Sequence, residues 1–156
     1  MKIRSTFEPF TEIPQKYTCL GLNVSPPLTF EEIPPETVSL VLLLEDMDAT
    51  PTVWTHWHVF NIPPTTHSVE EGQIPKGGIE GLCNNHTFGY EGPCPKYFSG
   101  THQYAFKLYA LSKLLALPPT TEPEQIKEEM KGYIVSTAEL VVRCTSDQHK
   151  SEAQQV

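Results

Sequence analysis

The distribution of proline restricts this chain more than any other feature of its sequence. The 156 residues contain 15 prolines, and four Pro-Pro pairs fall at 26–27, 34–35, 63–64 and 118–119. Proline lacks a backbone N–H and its ring clashes with the preceding helical turn, so no long helix can run through these pairs. The sequence therefore predicts short elements joined by stiff turns, on the scale of one domain.

Four segments have the composition of β-strands, at residues 38–45, 54–62, 102–111 and 139–144. The first is apolar except for Ser39 and Glu45, as is typical of a strand that is buried on both faces. The second is rich in aromatic and branched residues and stops at a Pro-Pro pair. The third alternates, so one face should carry His102, Tyr104, Phe106 and Leu108, and the other Gln103, Ala105, Lys107 and Tyr109.

One helix is predicted to begin near Thr121. We expect Thr121 to be the N-cap, Glu124 to complete a capping box, and Pro123 to lie in the first turn. Gly132 is placed to end the helix. Several strands, many proline turns and one helix together favour a mostly β, sandwich-like domain.

The net charge of the chain argues against several partners. It is −8, which makes the protein a poor default ligand for nucleic acids or anionic lipid surfaces. Any anion site must therefore be a local pocket. The longest apolar run, at 38–44, is much shorter than the ~20 residues that span a bilayer, so we expect no transmembrane segment.

The cysteines and the N-terminus lead to a prediction about location. Cys19, Cys83, Cys94 and Cys144 form no Cys-x-x-Cys pair, which argues against a zinc ribbon and against a dense disulfide framework. The N-terminus has two basic residues but no apolar stretch after them, unlike a signal peptide. We therefore expect a cytoplasmic protein whose thiols are mostly reduced.

Polar and aromatic residues of potential chemical use gather in three places. They are the turn after the first predicted strand (Asp46, Asp48), the second strand (Trp54, His56, His58), and the segment 89–104 with Pro95, His102 and Tyr104. Each group alone has an ordinary explanation, as a turn, as core or rim, or as a stiff loop. Together, two imidazoles, a carboxylate and a tyrosine hydroxyl could form one polar pocket.

We expect this pocket to bind a small oxyanion such as phosphate or a carboxylate. Glycines at 89, 92 and 100 would let backbone N–H groups approach the anion. By strand period, His58 should share a face with His56. It would then line the pocket or cap a strand edge in water, and we favour the second position.

Two ordered motifs resemble the signatures of the phosphatidylethanolamine-binding protein family, in its bacterial and archaeal Raf-kinase-inhibitor-like branch. The first resembles D-P-D-x-P followed by H-W, and stands here as DMDATP at 46–51 with HW at 56–57. The second resembles Y-x-G-P-C-P-P and then G-x-H-R-Y, and stands as YEGPCPK at 90–96 with GTHQY at 100–104.

The resemblance implies an antiparallel β-sandwich with one or two short helices and a small anion pocket near one end. Residues 1–150 would form one domain of this type, followed by a polar tail at 151–156. No cofactor and no metal are implied. The ligand would be a phosphate, a phosphoryl headgroup or a carboxylate, held by Asp46, His56, Pro95, His102 and Tyr104, with Asp48, Trp54 and Lys96 in support.

The resemblance also implies a binding or regulatory protein, with a kinase or a protease as its protein partner. The oligomeric state stays open, with a homodimer as one option. Three departures from the motifs stand out. Met47 and Lys96 replace prolines, and Gln103 replaces an arginine. Lys96 would either strengthen anion capture at the pocket mouth or point into solvent.

Other functions remain open from the residues alone. A hydrolase would use Cys94 or a bound water as nucleophile, His102 or His56 as base, and Asp46 to orient the base. A zinc site would draw on the same histidines and aspartates. A pure inhibitor of a partner protein would use the pocket rim as its contact surface, with the small ligand incidental.

Overall fold

The computed structural model describes residues 1–146 and consists of two antiparallel sheets and one helix. The strands are β1 (Lys2–Arg4), β2 (Leu28–Glu31), β3 (Ser39–Asp46), β4 (Trp54–Ile62), β5 (Ser68–Val69), β6 (Ile79–Glu80), β7 (Thr101–Leu111) and β8 (Ile134–Thr145). Helix α1 spans Pro123–Met130, and two short 3₁₀ turns span Gln15–Tyr17 and Pro95–Tyr97. The predicted fold class, a mostly β sandwich with few short helices, is confirmed.

The larger sheet has five strands in the order β6-β4-β3-β7-β8, and the smaller has three in the order β1-β2-β5. Between them lies the main core, to which both sheets contribute. A second apolar cluster covers the other face of the larger sheet, where Ile126 and Met130 of α1 pack against Val41, Leu43 and Phe60. The central part of the larger sheet is thus buried on both faces.

Strand β3 lies at the centre of this arrangement, and all eight of its residues are buried. Its even-numbered leucines enter the core between the sheets, while Val41 and Leu43 face the helix. Glu45 forms ion pairs with Lys107, at 3.1 Å, and with Lys127 of α1. A carboxylate this deeply buried needs such partners, and the ion pair with Lys127 ties the helix to the sheet.

The observed boundaries match most of the predicted ones. Strand β4 is as predicted, and β3 and β7 differ by one residue at their ends. Strand β8 begins at Ile134, five residues before the predicted start. The first part of β8 is half-buried or exposed, so its apolar pattern is weak.

The predicted start of α1 is wrong by one residue. Glu122 is the N-cap, and no side chain caps the helix. The N–H of Thr121 instead donates to the carbonyl of Pro118 in the preceding turn. Gly132 lies just beyond the helix at φ 84°, which confirms it as the stop.

Neither α1 nor the two 3₁₀ turns of the described chain is long and apolar enough to cross a membrane. The predicted polar tail, residues 151–156, lies outside the described residues.

Candidate functional site

A cavity of about 600 Å³ opens where β3 ends and where β4 and β7 begin. Segment 91–99 closes its other side. Six of the eight predicted site residues line it: Asp46, Asp48, Trp54, His56, His102 and Tyr104. The remaining lining residues are Ala49, Thr50, Asn85, Glu91, Cys94, Tyr97, Phe98 and Ser99.

The ladder between neighbouring strands explains why residues so distant in sequence meet here. Asp46, the last residue of β3, pairs with Trp54 at the start of β4 and with Tyr104 near the start of β7. Cross-strand partners share a face of the sheet. The three side chains are therefore brought to one end of the sandwich by register alone.

Asp46 and His102 form the polar centre of the cavity. The Nδ1–H of His102 donates to the Asp46 carboxylate, with Nδ1 3.0 Å from Oδ1 and 2.8 Å from Oδ2. The Asp46 side chain is buried and the His102 side chain is only 18% exposed. With Nδ1 engaged in this way, Nε2 is the ring nitrogen of His102 that is left for a ligand.

Asp48 has a structural role in the turn that follows Asp46. Its Oδ2 accepts the backbone N–H of Gln103 at 2.6 Å, and its own N–H donates to Asp46 Oδ1 at 3.0 Å. The Thr50–Pro51 peptide bond in the same turn is cis. These hydrogen bonds hold the turn against β7 and keep the Asp46 carboxylate in place.

Tyr104 supplies a buried hydroxyl. Burial raises the pKa of Tyr104 far above its ordinary value, and the nearby charge of Asp46 and a hydrogen bond to its carboxylate raise it further. The hydroxyl therefore stays protonated and can act as a hydrogen-bond donor. The Tyr104 ring meets the His56 ring edge to face, with centroids 5.3 Å apart.

His56 reaches the cavity because the pairing of β4 shifts at this point. Leu44 pairs with Trp57, but the next residue, Glu45, pairs with Thr55, so β4 contains one extra residue, His56. A bulge of this kind breaks the alternation of side chains between the two faces. His56 is thereby placed on the same side of the sheet as Tyr104.

The main chain of segment 91–92 fixes the His56 ring. Its Nδ1–H donates to the carbonyl of Glu91 at 2.8 Å, and the N–H of Glu91 donates back to the His56 carbonyl at 3.2 Å. Burial lowers the pKa of His56, although these contacts and the charge of Asp46 oppose that shift. The neutral ring is therefore favoured, with its proton on Nδ1.

Both predicted positions for His58 are wrong. His58 is fully buried on the helix side of the sheet, opposite Leu43 and stacked on Phe60 with centroids 5.6 Å apart. Its Nδ1–H donates to the carbonyl of Leu82 at 3.1 Å. Burial lowers the pKa of His58 to about 4. The extra residue in β4 is the reason that His56 and His58 do not share a face.

A disulfide between Cys19 and Cys94 holds the rim of the cavity. The expectation of mostly reduced thiols is therefore wrong for these two cysteines, while Cys83 and Cys144 are reduced and buried. Because the Sγ of Cys94 is bonded to Cys19, it is not a thiolate and cannot serve as the nucleophile of a hydrolase.

Gly92 is needed at the rim for close packing. A Cβ at this position would lie 2.1 Å from the carbonyl oxygen of Tyr17. The N–H of Gly92 donates to Oδ1 of Asn23 at 2.9 Å. That group is thus engaged with the neighbouring loop, contrary to the expectation that it would face a bound oxyanion.

Pro95 and Lys96 lie outside the cavity lining. Pro95 begins the second 3₁₀ turn and is buried behind the rim, where its carbonyl accepts a hydrogen bond from Ser146 Oγ at 3.0 Å. Lys96 is exposed in the same turn. Their roles in ligand binding stay predictions.

Several lining residues were not anticipated from the sequence. Phe98 stacks on His102 with centroids 3.8 Å apart and planes 14° apart, which fixes the imidazole from the side opposite the sheet. Asn85 donates from Nδ2 to Oε2 of Glu91. Glu91 lies inside the second motif, between Tyr90 and Gly92, so its place in the cavity wall could have been predicted from the motif. Asn85 lies outside both motifs.

The described residues contain no group of three or more histidine, cysteine, aspartate or glutamate side chains arranged to hold a metal ion.

Comparison with known proteins assigns the family. The family model described as phosphatidylethanolamine-binding protein matches residues 4–145, a segment that contains every residue lining the cavity. The chain belongs to this family.

Proteins of known sequence are similar to this chain over most of its length. It is 45% identical over 134 residues to a UPF0098 protein of Methanothermobacter thermautotrophicus, covering 83% of this chain and 87% of the relative. It is 42% identical over 135 residues to a UPF0098 protein of Chlamydia trachomatis, with the same two coverages.

Solved structures of the family have the same fold. A structure from Chlamydia trachomatis, described as a homologue of phosphatidylethanolamine-binding protein, superposes with a TM-score of 0.86 at 37% identity and covers 94% of this chain and 97% of that one. Escherichia coli YbcL, described as a member of the mammalian family, gives a TM-score of 0.85 at 24% identity, with coverages of 92% and 97%. At that identity, YbcL supports the fold alone.

Proposed function

We propose that this protein binds a small anion, a phosphate, a phosphoryl group or a carboxylate, in the cavity at the end of β3. We further propose that the cavity and its rim regulate a protein partner such as a kinase or a protease. The observation that carries the first proposal is the Asp46–His102 pair beside the buried Tyr104 hydroxyl.

These groups have complementary roles toward an anion. A protonated His102 offers its Nε2–H, and Asp46 balances the charge of the imidazolium within the buried site. The Tyr104 hydroxyl adds a neutral donor that stays protonated. A site with a few such donors is expected to bind in the millimolar to micromolar range, about 4–8 kcal/mol.

Exposed aromatic side chains at the cavity mouth support the regulatory part of the proposal. Trp54 is 40% exposed and Tyr97 is 84% exposed, and both line the cavity. Exposed aromatic side chains around a polar site are common at the centre of protein interfaces. A partner protein that contacts this rim would also contact a ligand bound in the cavity, so its affinity would depend on that ligand.

A hydrolase remains the second candidate, restricted to a water that His56 or His102 would activate, since Cys94 is bonded to Cys19. A cytoplasmic location also stays a prediction. A persistent disulfide is more typical of oxidising compartments, with the cytosol of hyperthermophiles as an exception.

Anion binding can be tested by NMR on protein with labelled histidines. Addition of inorganic phosphate should shift the ring signals of His56 and His102. The signals of His58, buried on the other face of the sheet, should not move, and neither should those of His67, which lies outside the cavity lining. Equal shifts for all four rings, or none for His56 and His102, would refute the proposal.

The regulatory proposal needs a separate comparison. Wild-type protein, His102→Ala and Tyr133→Ala would be tested as inhibitors of candidate kinases and proteases. Tyr133 precedes β8, at the end of the sheet opposite the cavity. Loss of inhibition with His102→Ala alone supports a role for the cavity, whereas loss with Tyr133→Ala alone places the contact elsewhere.

A further inference from the structure

Glu91 is fixed in the cavity wall by contacts on its main chain and its side chain. Its carbonyl and N–H are both hydrogen bonded to His56, at 2.8 and 3.2 Å. Its carboxylate accepts a hydrogen bond from the Asn85 amide, and Asn85 lines the cavity as well. The carboxylate of this lining residue is therefore held at a defined position by Asn85.

The charges around the cavity are unusual for a site that binds an anion. Its lining contains three carboxylates, from Asp46, Asp48 and Glu91, and two imidazoles, from His56 and His102. No lysine or arginine is among the lining residues of the described chain. With both imidazoles protonated, the formal charge of the lining is still 2 − 3 = −1, which opposes a bound dianion.

The three carboxylates differ in how their oxygens are used. Asp46 accepts from the His102 ring, and Asp48 accepts from the backbone N–H of Gln103. Glu91 has the neutral amide of Asn85 as its hydrogen-bond partner. A carboxylate only accepts hydrogen bonds, and so does a fully deprotonated oxyanion. Placed side by side, the two repel each other unless one of them carries a proton.

We propose that Glu91 makes this cavity selective for an oxyanion that carries its own hydrogen-bond donor. The ligand would be a monoprotonated phosphoryl group, whose P–OH donates to Glu91 while its other oxygens accept from His102 and Tyr104. A sulfate ester has no such proton and is discriminated against. This inference rests on the proposed anion-binding function.

Methyl phosphate and methyl sulfate form a matched pair of probes. At about pH 5 both are monoanions, because the second pKa of a phosphate monoester is about 6. They then have the same charge and nearly the same shape, and differ by one hydroxyl proton. Their affinities would be measured by NMR titration for wild type, Glu91→Gln and Glu36→Gln. Glu36→Gln is the charge-matched control, because Glu36 is exposed in the turn before β3, away from the cavity.

Wild type and Glu36→Gln should bind methyl phosphate at least about tenfold more tightly than methyl sulfate. Glu91→Gln should bring the two affinities within about threefold of each other. Equal affinities in wild type, or a preference that survives Glu91→Gln, would overturn the inference while leaving anion binding intact. If neither probe binds to wild type, the proposed function fails as well.

A second measurement needs no variant and so does not depend on the folding of Glu91→Gln. The ³¹P signal of methyl phosphate bound to wild type would be followed as a function of pH. An acceptor beside the phosphoryl group favours its protonated form, so the second pKa of the bound ligand should rise above that of free methyl phosphate. A bound pKa equal to or below the free value would overturn the inference.

Discussion

The Nδ1 atom of His102 lies 2.8 Å from Oδ2 of Asp46, and the two residues are 56 positions apart in the sequence. The carboxylate orients the ring and keeps a proton on Nδ1, and in the proposed anion site it would also balance the charge of an imidazolium that donates to the anion. In the proposed anion site, Asp46 therefore acts as a positioning residue for His102.

Asp46→Asn should weaken phosphate binding at least about tenfold, because the amide cannot balance the charge of a protonated His102. The free energy of unfolding should fall by about 1–3 kcal/mol, since a buried charged hydrogen bond is lost. NMR titration and urea unfolding measure the two effects. Unchanged affinity with reduced stability would show that Asp46 acts only on the fold.

The buried His58 predicts a loss of stability in acid. Its pKa is about 4 in the folded protein and about 6.5 when unfolded, so the unfolded chain takes up the proton first. Above about pH 6.5 the residue has no effect, and between about 6.5 and 4 it lowers the free energy of unfolding by about 3 kcal/mol. Urea unfolding at several pH values measures this slope.

His58→Asn is the matched variant for that experiment. An asparagine amide can still donate to the Leu82 carbonyl but takes up no proton in this range. The variant should be less stable at neutral pH and should show a shallower pH dependence. His56, whose pKa is also lowered by burial, contributes equally to both proteins. Identical slopes would show that His58 does not govern acid unfolding.

Thiol labelling should distinguish the four cysteines. Burial raises the pKa of Cys83 to about 12, and Cys144 is 3% exposed, so neither should react with iodoacetamide in the native protein near pH 8. Unfolding without reductant should expose two thiols, and unfolding with reductant all four. Four labels without reductant would contradict the Cys19–Cys94 disulfide.

Gly92 and Gly100 should respond differently to substitution by alanine. At Gly92 the added Cβ would meet the Tyr17 carbonyl oxygen at 2.1 Å, so the rim must shift, and about 2–3 kcal/mol of stability should be lost. At Gly100 no atom lies within 4 Å, and only its φ of 75° opposes alanine, at about 1 kcal/mol. Equal losses would rule out close packing as the role of Gly92.

The sequence predicts most of the sheet and much of the cavity for reasons that are local. The largely apolar run at 38–44 is typical of a strand buried on both faces, and β7 shows a clear alternation. Asp46 and Tyr104 then face each other through simple antiparallel register. The alternation of side chains between the two faces of a strand was sufficient to predict this, because the pairing of β3 with β7 contains no bulge.

The features that could not be predicted depend on contacts between distant segments. The extra residue in β4 moves His56 away from the face of His58, and nothing in the order Thr-His-Trp-His marks its position. Cys19 and Cys94 are 75 residues apart, and they meet only because the two loops pack around Gly92. Before α1, the N–H of Thr121 donates to the carbonyl of Pro118 in a turn. The N-cap is therefore Glu122 and not Thr121.

Strand β3 ends in two carboxylates that point to opposite sides of the sheet. Glu45 points toward Lys107 of β7 and Lys127 of α1, and Asp46 points toward His102. Its five central residues, 40–44, are all branched aliphatic, so hydrophobic burial would hardly distinguish this alignment from one displaced by a single residue. A displaced strand would set Glu45 among the aromatic rings of the cavity and Asp46 beneath the helix, with both charges away from their partners. The charges at the end of the central strand thus specify its alignment, and the same alignment places Asp46 in the wall of the cavity.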